Sequence, residues 1–163
     1  MALVFSTLKN QLMVRFSSFN NSPNEAANHI ANSFDLYIQG IMNMGNGSFA
    51  GMPGISGLRS ELTNIFARRQ SSKVAIANQI SQSFDNCMKT LNTVYQTGPV
   101  NTVSFSAFRA QNINLFNTFQ NSGAQFGQKL ANNIDQYVKS SVIQGIIPGS
   151  PPIPFSGPPK WRH

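Results

Sequence analysis

Apolar side chains recur along this chain with a helical rhythm that breaks and restarts. In residues 1–50 they stand at positions 5, 8, 12, 16 and 19, and again at 27, 30, 34, 37, 38 and 41. Steps of three and four put each set on one face of an α-helix, so the stretch predicts two amphipathic helices. Most of both sets return 50 and 100 residues later without an insertion. Four positions are identical in all three copies: Ser6, Ser56 and Ser106; Phe16, Phe66 and Phe116; Ser22, Ser72 and Ser122; Asp35, Asp85 and Asp135. Others keep their character, as in Ile30, Ile80 and Leu130 or in Lys9, Arg59 and Arg109, and Tyr37 and Tyr137 flank Cys87 in one column. A fixed period of this kind marks a repeated supersecondary unit. The expectation is an all-α domain over 1–150. It consists of three tandem helical hairpins (1–50, 51–100, 101–150), six helices in one bundle or a short superhelical stack.

Punctuation agrees with the periodicity. Ser6, Ser56 and Ser106 precede the first stripe of each unit and Ser22, Ser72 and Ser122 the second, where a side-chain oxygen caps unpaired N–H groups of a helix start. The run Ser22, Pro23, Asn24, Glu25 adds a proline at the first helical position and a glutamate three residues past the cap. Glycines and prolines then separate the units: Gly45, Gly47, Gly51, Pro53 and Gly54, then Gly98 and Pro99, then Pro148 and Gly149. Residues 151–163 form a Pro-rich basic tail, which the prolines keep extended. Phe155, Trp161 and Arg162 in it are candidate contacts to a partner, with folding back on the chain's own bundle as the other outcome.

Composition narrows the function. Charged residues make up 10% of the 163, against about 25% in average soluble proteins, and Asn, Gln and Ser fill the gap. Such a surface suits a subunit packed against others better than a free monomer. The net charge of +7 arises because acids are scarce. Arg68, Arg69 and Lys73 form an internal basic cluster, and Lys160 and Arg162 mark the end; together they are the contacts expected if the chain binds nucleic acid or another polyanion. Lys9 and Arg15 interrupt the first stripe, so no secretory signal is expected there. No apolar run reaches membrane-spanning length, so no membrane partner is expected.

The inventory for catalysis is thin. His29 and His163 have no partner at metal-ligand spacing. Cys87 lies on an apolar stripe, as a small buried thiol does. The loop with Gly45, Gly47 and Gly51 lacks the Gly-Lys-Ser/Thr ending of a phosphate cradle and follows a helix instead of a strand. Asp35, Asp85 and Asp135 are expected to pair with Lys9, Arg59 and Arg109 or to cap helices; the sharper alternative gathers all three carboxylates around a metal ion. The aromatic stripes, Phe119 among them, read as core. No enzyme, cofactor or metal is expected.

The run from Lys129 to Ser150, in which Leu130, Ala131, Ile134, Asp135, Tyr137, Val138 and Lys139 lead into Ile146, Ile147, Pro148 and Gly149, resembles small virion structural proteins of tailed bacteriophages. There a helix of the form Leu-Ala-x-x-Ile-Asp-x-Tyr-Val-Lys enters a Gly/Pro-rich tail. The likeness spans 22 residues and is echoed from Ile30 to Ile38. It implies a non-enzymatic head, neck, tail or baseplate component in many copies, assembled in the host cytoplasm and touching itself and other virion proteins. The three hairpins and the Pro-rich basic end depart from that pattern.

Overall fold

The apolar stripes become helices. The computed structural model describes residues 2–17, 22–68 and 72–161. Among them are α1 (Ala2–Ser17), α2 (Pro23–Ile38), α3 (Ile55–Ala67), α4 (Lys73–Met88), α5 (Phe105–Asn117) and α6 (Gly123–Ser140). The chain is mostly helical. Ser22, Ser72 and Ser122 each stand just before a helix in extended backbone, and their hydroxyls accept from the N–H groups of Glu25, Ala75 and Gln125. The other serine column does not cap. Ser6 lies inside α1, and Ser56 and Ser106 fall one residue inside α3 and α5, whose N-caps are Gly54 and Ser104. These helices begin earlier than the apolar pattern suggests, because turns at residues 53–54 and 103–104 lead straight into them.

Each helix packs on its neighbours in chain order, and α6 returns to pack on α1. The α1–α6 contact is the most extensive, followed by α2–α3 and α4–α5. Two glycines explain how closely α6 lies on α1. A Cβ on Gly127 would stand 2.5 Å from the Leu12 carbonyl oxygen, and one on Gly123 would collide with the Phe16 carbonyl. The core draws on all six helices, with Leu8, Leu12, Phe34, Leu58, Leu62, Phe84, Phe108 and Ile134 almost wholly buried. Each such side chain contributes roughly 1.5–3 kcal/mol by leaving water. Edge-to-face contacts link Phe34 to Phe84 at 5.0 Å and Phe16 to Phe126 at 4.8 Å between ring centroids. Several buried positions are polar, among them Asn112, which sits where Leu12 and Leu62 sit in their helices. Its Nδ2 donates to Ser81 Oγ at 3.0 Å and its Oδ1 accepts from Asn133 at 2.9 Å.

The glycine- and proline-rich connections are not plain loops. They form short strands at the end of the molecule where α2, α4 and α6 finish: β1 (Ile41–Met42), β2 (Phe49–Gly51), β3 (Asn92–Thr93), β4 (Ile143–Ile147), β5 (Ile153–Gly157) and β6 (Lys160–Trp161). β2 pairs with β3, β4 with β5, and β6 with β1, all antiparallel. Single bridges, Gln96 to Gly145 and Asn101 to Val142, join the second connection to the third. The physical reason is backbone satisfaction: connections crossing the end of a core must find partners for their N–H and C=O groups.

Candidate functional site: a buried tyrosine–aspartate belt and an apolar end

The three repeated aspartates sit near the C-terminal ends of α2, α4 and α6. A carboxylate there opposes the helix dipole, and each is compensated locally. Lys89 Nζ lies 2.7 Å from Asp85 Oδ2, Lys139 Nζ 2.6 Å from Asp135 Oδ2, and Gln39 Nε2 donates to Asp35 Oδ2 at 2.9 Å. For two of them a second partner comes from another helix pair. Tyr137 Oη donates to Asp85 Oδ1 at 2.6 Å, and Tyr37 Oη donates to Asp135 Oδ1 at 2.7 Å. Cys87, in the same column as the tyrosines, feels Asp35.

These contacts set the protonation states. Burial pushes the Asp85 carboxyl up, but hydrogen bonds from Lys89, Tyr137 and Thr102 together with the Lys89 charge outweigh it and hold the group below the usual carboxylate range. Burial, reinforced by the neighbouring carboxylates, pushes both tyrosine hydroxyls far up. The Cys87 thiol is pushed up to about 12, by burial first and then by Asp35 and Glu61. At neutral pH the belt therefore contains an anionic Asp85, neutral phenols and a neutral thiol. Those are states for holding helices together, and a thiol so raised is a poor nucleophile.

The expected pairing of the aspartates with the ninth-column bases does not form. Arg59 donates to Asn32 Oδ1 at 2.8 Å, Arg109 to Asn78 Oδ1 at 2.7 Å, and Lys9 lies half-buried on α1. The bases bond to asparagines of neighbouring helices or stay on their own, whereas Asp85 and Asp135 turn inward to the tyrosines and Asp35 bonds Gln39. Nor do the aspartates meet around one point: among the described residues no three metal-ligating side chains come together. Of the two outcomes expected for the tail, the structure shows the one in which it folds back over its own bundle. Trp161 is only 7% exposed, its ring 5.7 Å from Tyr37 and 5.7 Å from Lys139 Nζ, and the Phe155 ring lies over Gly45. Burying two aromatic rings favours folding back over extending into solvent. Arg162 and Arg69 lie outside the described residues. Arg68 and Lys73 sit at the α3–α4 turn, while Lys160 sits among the strands. The length of α4, roughly 24 Å for its 16 residues, keeps these expected polyanion contacts apart.

Sequence reasoning missed Tyr37, Tyr137, Lys89 and Lys139 as the partners of the aspartates. The lysines carried a signal, since each stands four residues after its aspartate. Two open grooves run between paired helices. One, of about 320 Å³ between α3 and α4, is lined by Glu61, Asn64, Arg68, Gln79, Gln82 and Asn86 among others. The other, of about 350 Å³ between α5 and α6, has Gln111, Asn114, Lys129, Asn132 and Gln136 at positions 50 residues further on.

The strand-bearing end exposes apolar side chains. Met44, Val94, Tyr95, Ile146 and Ile153 are 39–59% exposed. The segments that carry them are joined: Ile146 N–H donates to the Tyr95 carbonyl and a Cβ on Gly157 would touch Met44, while Ile153 pairs with Ile147 and Ile146 with Pro154, on opposite faces of the β4–β5 ribbon. Phe119, expected in the core, is 87% exposed because α5 ends at Asn117 and the ring falls in the connection to α6. No protein-family model, curated protein or solved structure matches the chain.

Proposed function

We propose that this chain is a non-enzymatic assembly subunit, built as three equivalent helical hairpins closed into one bundle, and that it serves in a tailed-phage particle. The observation that supports the assembly reading is the set of exposed apolar side chains, Met44, Val94, Tyr95, Ile146 and Ile153, at one end of a body in which Asp85 and Asp135 are committed to holding helices together. The largest exposed apolar patch of a chain is often where it meets a partner. The return of α6 onto α1 favours a closed bundle over an open superhelical stack. The particle itself rests on the resemblance at Lys129–Ser150, with other virion proteins as the expected partners.

Particles banded on a density gradient and then probed with an antibody to the chain test this reading. Co-banding that survives 1 M salt is expected. A chain left in the unassembled fraction, co-eluting with nucleic acid that salt strips away, overturns it in favour of polyanion binding, since phosphate contacts weaken steeply with ionic strength.

A further inference from the structure

The core is not filled everywhere. Near the end of the bundle opposite the strands, where α1, α3 and α5 finish, it leaves a cavity of about 70 Å³. Two repeated columns build its wall, Phe16, Phe66 and Phe116 with Ile30, Ile80 and Leu130, so all six helices contribute. Among the described residues no polar atom faces it. We infer that this cavity is a binding site for a small apolar guest, the size of a xenon atom or of a hydrocarbon of about three carbons. The inference is independent of the assembly reading, which concerns the other end of the molecule.

The void has a cause in the repeat. Position 26 of the third unit is Phe126, whose ring packs edge-on against Phe16 at 4.8 Å and against Phe116 at 5.1 Å between centroids. The matching positions of the other two units hold Ala26 and Ile76. The surrounding phenylalanine and isoleucine columns keep nearly the same size in all three units, but only one of the three wedges between them carries a ring. Protein interiors otherwise pack as densely as organic crystals. Here a threefold plan carried out with unequal side chains leaves a gap.

The wall selects the guest. A buried water needs two to four polar partners, so this cavity has room for water and nothing to hold it. A charged or hydroxylated ligand would give up its hydration and gain no bond in return. An apolar guest has no such loss, and it supplies the dispersion contacts that the lining side chains lack. Size sets the upper limit: an apolar cavity of ~150 Å³ lined by Leu, Ile and Phe admits benzene, and one about half as large admits something smaller. Ile30, Ile80 and Leu130 are buried, whereas the rings of Phe16, Phe66, Phe116 and Phe126 are half-buried at the helix ends. The guest therefore enters past the rings.

Methyl NMR spectra of the full chain under increasing xenon pressure decide the matter. Saturable shifts are expected at the methyls of Ile30, Ile80 and Leu130, while those of Val138 and Ile143, buried near the strands, stay in place. Ile80→Phe puts a ring into the void and loses the xenon response; far-UV circular dichroism and the melting temperature check that this variant is folded. Leu130→Ala does the reverse. It enlarges the cavity toward the size that admits benzene, so benzene should raise the melting temperature of this variant by several degrees and leave that of wild type unchanged. The two variants change the cavity in opposite directions, so the failure of one to fold leaves the other as the test. Xenon shifts that are absent from the three cavity methyls, that spread equally to Val138 and Ile143, or that persist undiminished in Ile80→Phe would each overturn the inference. So would a benzene response that is the same in wild type and in Leu130→Ala.

Discussion

At the scale of single residues, the repeated aspartate is a structural device built from three helices' worth of chemistry. Asp85 is the most enclosed of the three, with Lys89 on one oxygen and Tyr137 on the other. Asp85→Asn keeps the shape and an acceptor for Tyr137 but removes the charge that answers Lys89, a loss of about 2 kcal/mol for charge-assisted hydrogen bonds. The sign of the pH dependence follows from the lowered pKa. A carboxyl held below its unfolded value contributes stability above about pH 4 and loses it as pH falls through the folded value. Melting temperatures of wild type and Asp85→Asn should therefore differ by several degrees at pH 7 and converge in acid, once the pH has fallen through the folded value. A gap that persists unchanged into acid would remove the carboxylate from the explanation. The sequence marked these aspartates as structural, but it paired them with the wrong bases. Identical columns reveal that positions are equivalent; they do not reveal which faces of two helices meet.

Element by element, the helices were legible because six amphipathic stripes and their serine stops agree with one another. The strands were not. Each has two to five residues in Gly/Pro-rich sequence, too short for an alternating pattern, and they exist because the connections cross the end of the core and satisfy one another's backbones. The glycines inside helices separate two effects that sequence alone confounds. By propensity, Gly→Ala inside a helix stabilises by roughly 0.5–1 kcal/mol. Gly57, in the first turn of α3 with open space around its missing side chain, should follow that rule, and Gly57→Ala should raise the melting temperature by a few degrees. Gly127 should reverse it. Its Cβ would sit 2.5 Å from the Leu12 carbonyl oxygen, backbone that yields only if α6 moves off α1. Gly127→Ala is expected to destabilise by about 2 kcal/mol, within the range for overfilling a tight contact. Equal responses at the two positions, read from urea midpoints, would mean that α6 does not lie as closely on α1 as described.

Seen whole, the molecule is closed twice, once by α6 against α1 and once by the tail against the first connection. The sequence left both closures open, offering a bundle or a stack and a tail that docks or folds back, because closure depends on the direction of every turn at once. Trp161 is where the second closure can be broken. Its strand pairs with β1, register Ile41 to Trp161, and its ring lies between Tyr37 and the Lys139 ammonium. Removing it uncovers the edge of β1 and the hydroxyl end of the Tyr37–Asp135 link. Trp161→Ala should cost about 3 kcal/mol, the low end for a large aromatic leaving a core. Truncation after residue 157 should cost about as much and little more, because Pro158, Pro159 and Lys160 contribute less buried apolar surface than the indole. A urea midpoint within experimental error of wild type for both variants would show that the tail is not part of the closed body. It would then return to the role first expected of it, a segment free to reach a neighbour.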